Sequence, residues 1–414
     1  MSQSTPNRSL ICNFCEKPKE EVGKLIVSND AAICNECIEL CSTILTTEKN
    51  SLIAKKKGFK KNLDPGEIKK FLDDYIIGQE SAKRYLAVAV VNHYKRLFFP
   101  SAKVEVDKSN VILYGPTGSG KTMLARTIAR FLDVPFCIVD ATTLTEAGYV
   151  GDDATAILER LILAADGDVE AAEQGIIFID EVDKIARRGD VTGGTARDIS
   201  GEGVQQSLLK IVEGTTCKVM YGDAVHKDEI EMDTRNILFV AGGAFDGLEK
   251  IIEKNRNKQT IGFVTKEKDK ETRKGATPKD FIDFGLIPEF IGRFPITVEI
   301  EKLTREDFVR ILTEPKNNVV DQMAFYFTVD NVKLKLDSGA INAVVDQAIK
   351  EGLGARGLKG VIERVLLPYM FDLKTIVKQD INEIIITAET ILNGAEPTFI
   401  KEKIENVTVL KQSQ

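Results

Sequence analysis

No stretch of this 414-residue chain is apolar for anything near the roughly 18 residues that a membrane-crossing helix needs. The opening Met1-Ser2-Gln3-Ser4-Thr5-Pro6 has no apolar core of the kind a secretory leader carries. No membrane partner is implied, and a cytoplasmic location is the resulting expectation. Positive charge is not in excess either. Lys and Arg number 56 against 63 Asp and Glu, a net charge of −7. Nucleic-acid binding rests on clustered Lys and Arg that neutralise phosphates, so this balance speaks against nucleic acid as the main partner. Tryptophan is absent, which decides nothing by itself. No internal repeat is present. What remains, 43% hydrophobic and 29% charged residues, is ordinary for a globular protein with sizeable cores. The length suits about two or three domains.

Seven cysteines are present, and four are spaced to hold a metal. Cys12-x2-Cys15 and Cys34-x2-Cys37 stand eighteen residues apart. Each Cys-x2-Cys turn can point two thiolates at one ion, and the segment between them can fold back as a small hairpin. The pattern is that of a structural four-cysteine site for Zn2+. Disulfides are the competing reading, disfavoured in a chain without a secretion signal. Residues 1–48 are too few for a hydrophobic core of their own, so metal would supply much of their folding energy.

The most informative segment is Gly115-Pro116-Thr117-Gly118-Ser119-Gly120-Lys121-Thr122, which fits G-x-x-x-x-G-K-[ST]. Val111-Ile112-Leu113-Tyr114 before it reads as a strand, and Met123 to Ala129 after it as a helix. Strand, glycine loop and helix together make a phosphate cradle, with backbone N–H groups turned inward and the helix N-terminus adding partial positive charge. Lys121 would reach the β- and γ-phosphates, and the Thr122 hydroxyl would ligate Mg2+. A second motif agrees. Ile176-Ile177-Phe178-Ile179 runs straight into Asp180-Glu181. A buried strand of an α/β sheet looks like this, and ligands bind at its C-terminal end. Asp180 would hold Mg2+ and Glu181 would polarise the attacking water. The pair of motifs predicts ATP hydrolysis rather than passive nucleotide binding.

Between these landmarks the pattern alternates. Strands are expected near Val111–Tyr114, Phe136–Val139, Ile176–Ile179 and Ile237–Val240, separated by helical stretches. This predicts an α/β fold: a parallel sheet with helices on both faces, over residues 63–303. A polar, lysine-rich linker (residues 49–62) precedes it. From 304 to 400 the pattern turns mainly helical, with Leu358, Val361, Ile362, Val365 and Leu366 at helical spacing. A short tail, 401–414, follows. The strand Ile237–Val240 runs into Ala241-Gly242-Gly243, with no polar side chain to touch a γ-phosphate. Arg356 stands at the start of the helix that begins Gly357-Leu358; a cation there opposes the macrodipole and becomes sensible with an anion nearby, a surface ion pair being the plain alternative for it and for Arg293. Gly148-Tyr149-Val150-Gly151 sets an aromatic between glycines, which suits a mobile loop tip that grips a chain better than a core tyrosine.

The order of motifs resembles the ClpX family of AAA+ unfoldases. After the cysteines come Tyr75-Ile76-Ile77-Gly78-Gln79, Gly115–Thr122, Gly148–Gly151 and Ile179-Asp180-Glu181. Then come Ser200-Gly201-Glu202-Gly203, the run Leu286 to Pro295, and Gly354-Ala355-Arg356-Gly357. The resemblance covers about residues 10 to 400. It implies an AAA+ P-loop sheet, a small helical domain and an N-terminal zinc module, in a homohexamer that threads unfolded or tagged proteins into the ClpP peptidase, with adaptor proteins helping to select them. It places ATP at Pro116–Met123, with Thr117, Gly118, Ser119, Gly120, Lys121 and Thr122 between, and the adenine beside Ile76 and Ile77. It makes Arg293 a finger reaching the neighbouring subunit's nucleotide and Arg356 a sensor in the same chain. Tyr149, Val150 and Arg197 become pore residues. Ile261, Gly262 and Phe263, an apolar island in a polar loop, become the peptidase-docking tripeptide. One departure is visible: Ala224-Val225-His226 stands where the family carries a basic entrance loop. Two other functions compete: a remodeller of complexes that needs no peptidase, which the docking tripeptide disfavours, and a nucleic-acid motor or clamp loader, which the acidic balance disfavours.

Overall fold

The structure is a computed structural model and describes residues 11–28, 31–41, 63–99, 103–144, 154–187, 199–222, 227–259 and 275–401. The described residues up to Leu63, with Val91–Asp107, form one unit; Asp64–Val90 and Lys108 onward form another. In the first, β1 (Leu25–Val27) and β2 (Ala32–Cys34) pair antiparallel, Leu25 opposite Cys34. This is the hairpin expected between the two cysteine turns. Its buried cluster is Cys12, Val22, Cys34 and Cys37, with Leu25 and Ile33 packed against it.

The second unit is built on β3 (Val111–Tyr114), β4 (Phe136–Asp140), β5 (Ile176–Asp180), β6 (Thr216–Gly222), β7 (Lys227–Asp233), β8 (Leu238–Gly243) and β9 (Ile296–Glu299). Five of them make one parallel sheet in the order β4-β5-β8-β3-β9. Strands β3 and β8 are buried at every residue, and β5 at all but the last. Helices cover both faces of such a sheet, so its central strands read as unbroken apolar runs. The edge strand β4 alternates buried and half-buried residues instead. The acid pair, the end of β8 and the P-loop leave the sheet side by side, because β8 lies between β5 and β3.

Two pieces of this unit do not follow from the sequence pattern. Strands β6 and β7 form an antiparallel hairpin apart from the main sheet, Thr216 opposite Asp233. The region after Thr304 is mainly helical as expected, yet it also holds a three-stranded sheet. There β10 (Lys333–Leu336) and β11 (Glu383–Ile386) run parallel, and β12 (Thr398–Ile400) runs antiparallel to β11. Leu358, Val361, Ile362 and Leu366 do turn inward, each at most 1% exposed, in the core of this region.

Candidate nucleotide and metal sites

The P-loop is shaped by residues that carry no side chain. Gly118 has φ 75°, and a Cβ there would stand 3.0 Å from the Gly354 Cα. Gly120 caps the helix Lys121–Leu132, and nothing lies within 4 Å of where its Cβ would stand. That leaves an open cradle in front of the helix's N–H groups, the shape a polyphosphate needs. Lys121 is 8% exposed, and its Nζ donates to the carbonyls of Gly115 at 2.7 Å and Pro116 at 2.9 Å. Burial pushes this ammonium below its usual range; the Asp180 and Asp183 carboxylates oppose the drop and the Arg356 guanidinium adds to it. A buried cation bonded to neutral carbonyls is well matched to an incoming phosphate.

The acid pair meets the P-loop directly. Thr122 Oγ1 donates to Asp180 Oδ2 at 3.2 Å, and the Glu181 N–H donates to Asp180 Oδ1 at 2.9 Å. A hydroxyl and a carboxylate side by side, next to a phosphate cradle, are a hard-oxygen donor set suited to Mg2+. Glu181 is exposed and sits at φ 55°, ψ 33°. Few non-glycine residues adopt this left-handed conformation, and strain of this kind gathers at functional sites.

Both motifs open into one cleft of about 690 Å3, which also receives Ile76, Ile77 and Arg356. Ile76 and Ile77 are buried and give the cleft an apolar lining, to which Ile311 and Val319 of the helical region also contribute. The segment bearing this wall is clamped from three sides. Gln79 donates to the Glu301 carbonyl at 2.8 Å and accepts from the Glu301 N–H at 2.9 Å. Lys83 Nζ, in the helix Glu80–Phe98, donates to the Ile76 carbonyl at 2.6 Å and pairs with Asp73 at 2.8 Å. Arg130 lies over the Tyr75 ring, 3.9 Å from its centroid.

Arg356 falls in the first turn of a helix, Ala355–Phe371, that begins two residues earlier than the sequence suggests. The Ala355 N–H bonds the Gly118 carbonyl at 3.4 Å, so the Gly-Ala-Arg-Gly turn packs on the P-loop itself. Arg293 behaves differently. It follows the short helix Pro288–Gly292, does not line the cleft, and pairs with Glu213 at 2.9 Å with half its side chain exposed. Tyr149, Val150, Arg197, Ile261, Gly262 and Phe263 lie outside the described residues, as do Ala224, Val225 and His226. Sequence reasoning missed Asp183, Lys184 and Asn318, which all line the cleft. For Asp183 a signal existed: it is the one further acid inside Val182-Asp183-Lys184-Ile185.

In the cysteine module all four Sγ atoms lie within 4.8 Å of one another. Cys12 and Cys37 are 3.8 Å apart and Cys15 and Cys34 3.7 Å, and all four thiols are free. A tetrahedron with Zn–S bonds of about 2.3 Å has edges of about 3.8 Å, so the donor set fits Zn2+ closely. Backbone N–H groups of Cys34 and Cys37 point at the sulfurs of Cys12 and Cys34, at 3.3 and 3.4 Å. Such donors favour thiolate over thiol. Burial raises the Cys12 pKa, yet the backbone N–H donors around it bring it down to about 6, whereas burial and the neighbouring sulfurs push the Cys37 thiol well above its usual range.

A P-loop and an acid pair at neighbouring ends of a parallel sheet, closed by a helical region that sends an arginine into the cleft, define an ATPase of the AAA class. Family comparison agrees. Residues 106–297 match an AAA domain of the Cdc48 subfamily, 10–47 a ClpX C4-type zinc finger, and 303–386 the C-terminal D2-small domain of ClpB protein. The ATP-dependent Clp protease ATP-binding subunit ClpX of Treponema denticola is 47% identical over 415 aligned positions, spanning 97% of this chain and 98% of the relative. The chain belongs to the ClpX family.

Proposed function

We propose that this ATPase unfolds proteins and, as a homohexamer, threads them through a central pore into a ClpP-type peptidase. The observation that carries the reading is the division of the two arginines. Arg356 enters the same cleft as Lys121, Thr122, Asp180 and Glu181, whereas Arg293 stands outside it on an exposed surface. A finger that serves a neighbouring subunit's nucleotide has to sit outside its own cleft. In this reading Lys121 binds the β- and γ-phosphates and Glu181 polarises the attacking water. Thr122 and Asp180 would hold Mg2+, which when bound neutralises phosphate charge. Ile76 and Ile77 take the adenine. Arg356 senses the nucleotide, and Arg293 stabilises charge across the subunit boundary. Cys12, Cys15, Cys34 and Cys37 hold Zn2+. Tyr149, Val150 and Arg197 grip the substrate chain, and Ile261-Gly262-Phe263 docks the peptidase. The name of the Treponema relative, a subunit of an ATP-dependent protease, supports this partner.

The test compares stimulation of ATP hydrolysis by an unfolded protein and by DNA. The reading expects stimulation by protein only, and degradation of that protein once ClpP is added. Stimulation by DNA alone would overturn it in favour of a nucleic-acid motor.

A further inference from the structure

The C-terminal end of β8 lies between the acid pair on β5 and the P-loop after β3. It carries no side chain, because the residue there is Gly243. The space is nonetheless filled. A Cβ on Gly243 would stand 2.7 Å from Asp183 Oδ1 and 2.6 Å from the Phe245 ring. Asp183 arrives from the 3-10 turn Val182–Ile185, just after Glu181. Its side chain is 3% exposed. Its Oδ1 accepts the Ala244 N–H at 3.1 Å, and its Oδ2 lies 3.3 Å from Nζ of the half-exposed Lys184. It also lines the cleft.

Glu181 needs such an anchor. Its left-handed backbone persists only where the surroundings over-determine it. On one side the Glu181 N–H is tied to Asp180. On the other, the turn that follows is tied at its far end by Gln205, which donates to the Ile185 carbonyl, and, nearest Glu181, by Asp183 to the end of β8. We propose that Asp183 is a positioning residue for hydrolysis. Its carboxylate pins the turn bearing Glu181 to the Ala244 peptide and stands in for the polar side chain that the end of β8 lacks. The inference rests on the reading of Glu181 as the residue that polarises water.

The test uses the full chain with Mg2+ and ATP, reading phosphate release, affinity for a fluorescent ATP analogue, and melting temperature. Asp183→Ala removes the acceptor. Misplacing a catalytic group by an ångström can cost about 100-fold, so turnover should fall roughly 10- to 100-fold. Affinity for the analogue should stay within about threefold, since Asp183 shares no hydrogen bond with the P-loop and reaches Lys121 only through its charge. Asp183→Asn keeps an acceptor oxygen and should recover most of the lost turnover. Wild-type turnover in Asp183→Ala overturns the inference. So does a parallel fall in affinity, melting temperature and rate, which marks a merely structural role. An Asp183→Asn variant as slow as Asp183→Ala also overturns it, because charge rather than the hydrogen bond would then matter. Glu181→Gln is assayed alongside. If it turns over normally, the reading of Glu181 fails and the inference falls with it; if it is inactive while Asp183→Ala is normal, only the role of Asp183 fails.

Discussion

The cysteine module and the nucleotide-binding region reach order by opposite routes. The module's buried cluster is four residues, three of them cysteines. The parallel sheet is packed on both faces, with Phe178, Phe239, Phe281, Phe290 and Phe294 each at most 1% exposed. Burying a side chain of that size contributes about 1.5–3 kcal/mol, and many of them add up. The module has no such reserve, so a bound metal must supply what a core would. The difference separates two kinds of vulnerability. The first region is expected to fail with the loss of one ion; the second should keep its fold when a contact is lost, even where the proposed chemistry rests on a single carboxylate.

The largest expected effect attacks the ion. Treating the full chain with a strong zinc chelator, or replacing Cys12 by Ser, should make residues 11–41 fully protease-sensitive. Basal ATP hydrolysis should continue, because none of its proposed residues lies there. Metal analysis should find one zinc per chain before treatment. A protease-resistant module without zinc would erase the contrast between the two regions.

The second effect lies in the cleft. Glu181→Gln should leave ATP binding intact and slow hydrolysis by about 100-fold or more, the scale of a lost general base. Lys121→Ala should instead weaken ATP binding, since the phosphates lose their cation. If both variants lose binding equally, the cleft does not separate binding from chemistry as proposed.

A third prediction concerns residues outside the described ones. Tyr149→Ala should impair unfolding of stable substrates while ATP hydrolysis continues. Phe263→Ala removes an apolar anchor worth about 1.5–3 kcal/mol per site, a loss that multiplies around a ring through avidity. That variant should still unfold proteins but fail to deliver them to ClpP. Wild-type degradation by Phe263→Ala would remove the docking role, and normal unfolding by Tyr149→Ala the gripping role.

The two regions were also unequally legible in the sequence. The four cysteines announce their site by spacing alone, and the structure brings all four together. Strands β3 and β5 are legible because each is four or more apolar residues followed by a motif that needs a strand end. The β6–β7 hairpin is harder: β6 alternates exposed residues with inward-facing Cys217, Val219 and Tyr221, but of these only Val219 is fully buried, so few strongly apolar residues carry the period of two. Strands β9 to β12 are three or four residues long, too short for a period to show. In the cleft, the P-loop, Asp180 and Glu181 follow from chemistry, and Arg356 from the resemblance with support from its place at a helix start. The Gln79–Glu301 clamp is invisible, since its partners lie 222 residues apart and one is a peptide group. Asp183 was visible as an acid but not as an anchor, because its partner is a backbone N–H just past the end of β8, 61 residues away.

That clamp offers the smallest and most discriminating test. Gln79→Ala removes both hydrogen bonds and leaves the Glu301 N–H and carbonyl without their partner in a part-buried site. A polar group left unsatisfied on burial costs about 1–3 kcal/mol. Gln79 itself sits at φ 59°, so the alanine also inherits a strained backbone. The loss is small against a core of this size, and the fold should survive with a melting temperature lowered by a few degrees, on the order of 2–4 °C per kcal/mol for a large domain. Nucleotide should report the damage more sharply than melting does. With Gln79 gone, the segment of Ile76 and Ile77 keeps the Lys83 and Arg130 ties but loses its bond to Glu301, and affinity for ATP and ADP should weaken together, because the apolar wall does not touch the γ-phosphate. Hydrolysis at saturating ATP should stay near the wild-type rate, and zinc content should not change. If affinity for ATP falls while that for ADP holds, the clamp acts on the phosphates rather than the base, and the adenine wall has been misassigned. If the variant does not fold, the nucleotide-binding region is as dependent on a single tie as the cysteine module, and the contrast between them fails.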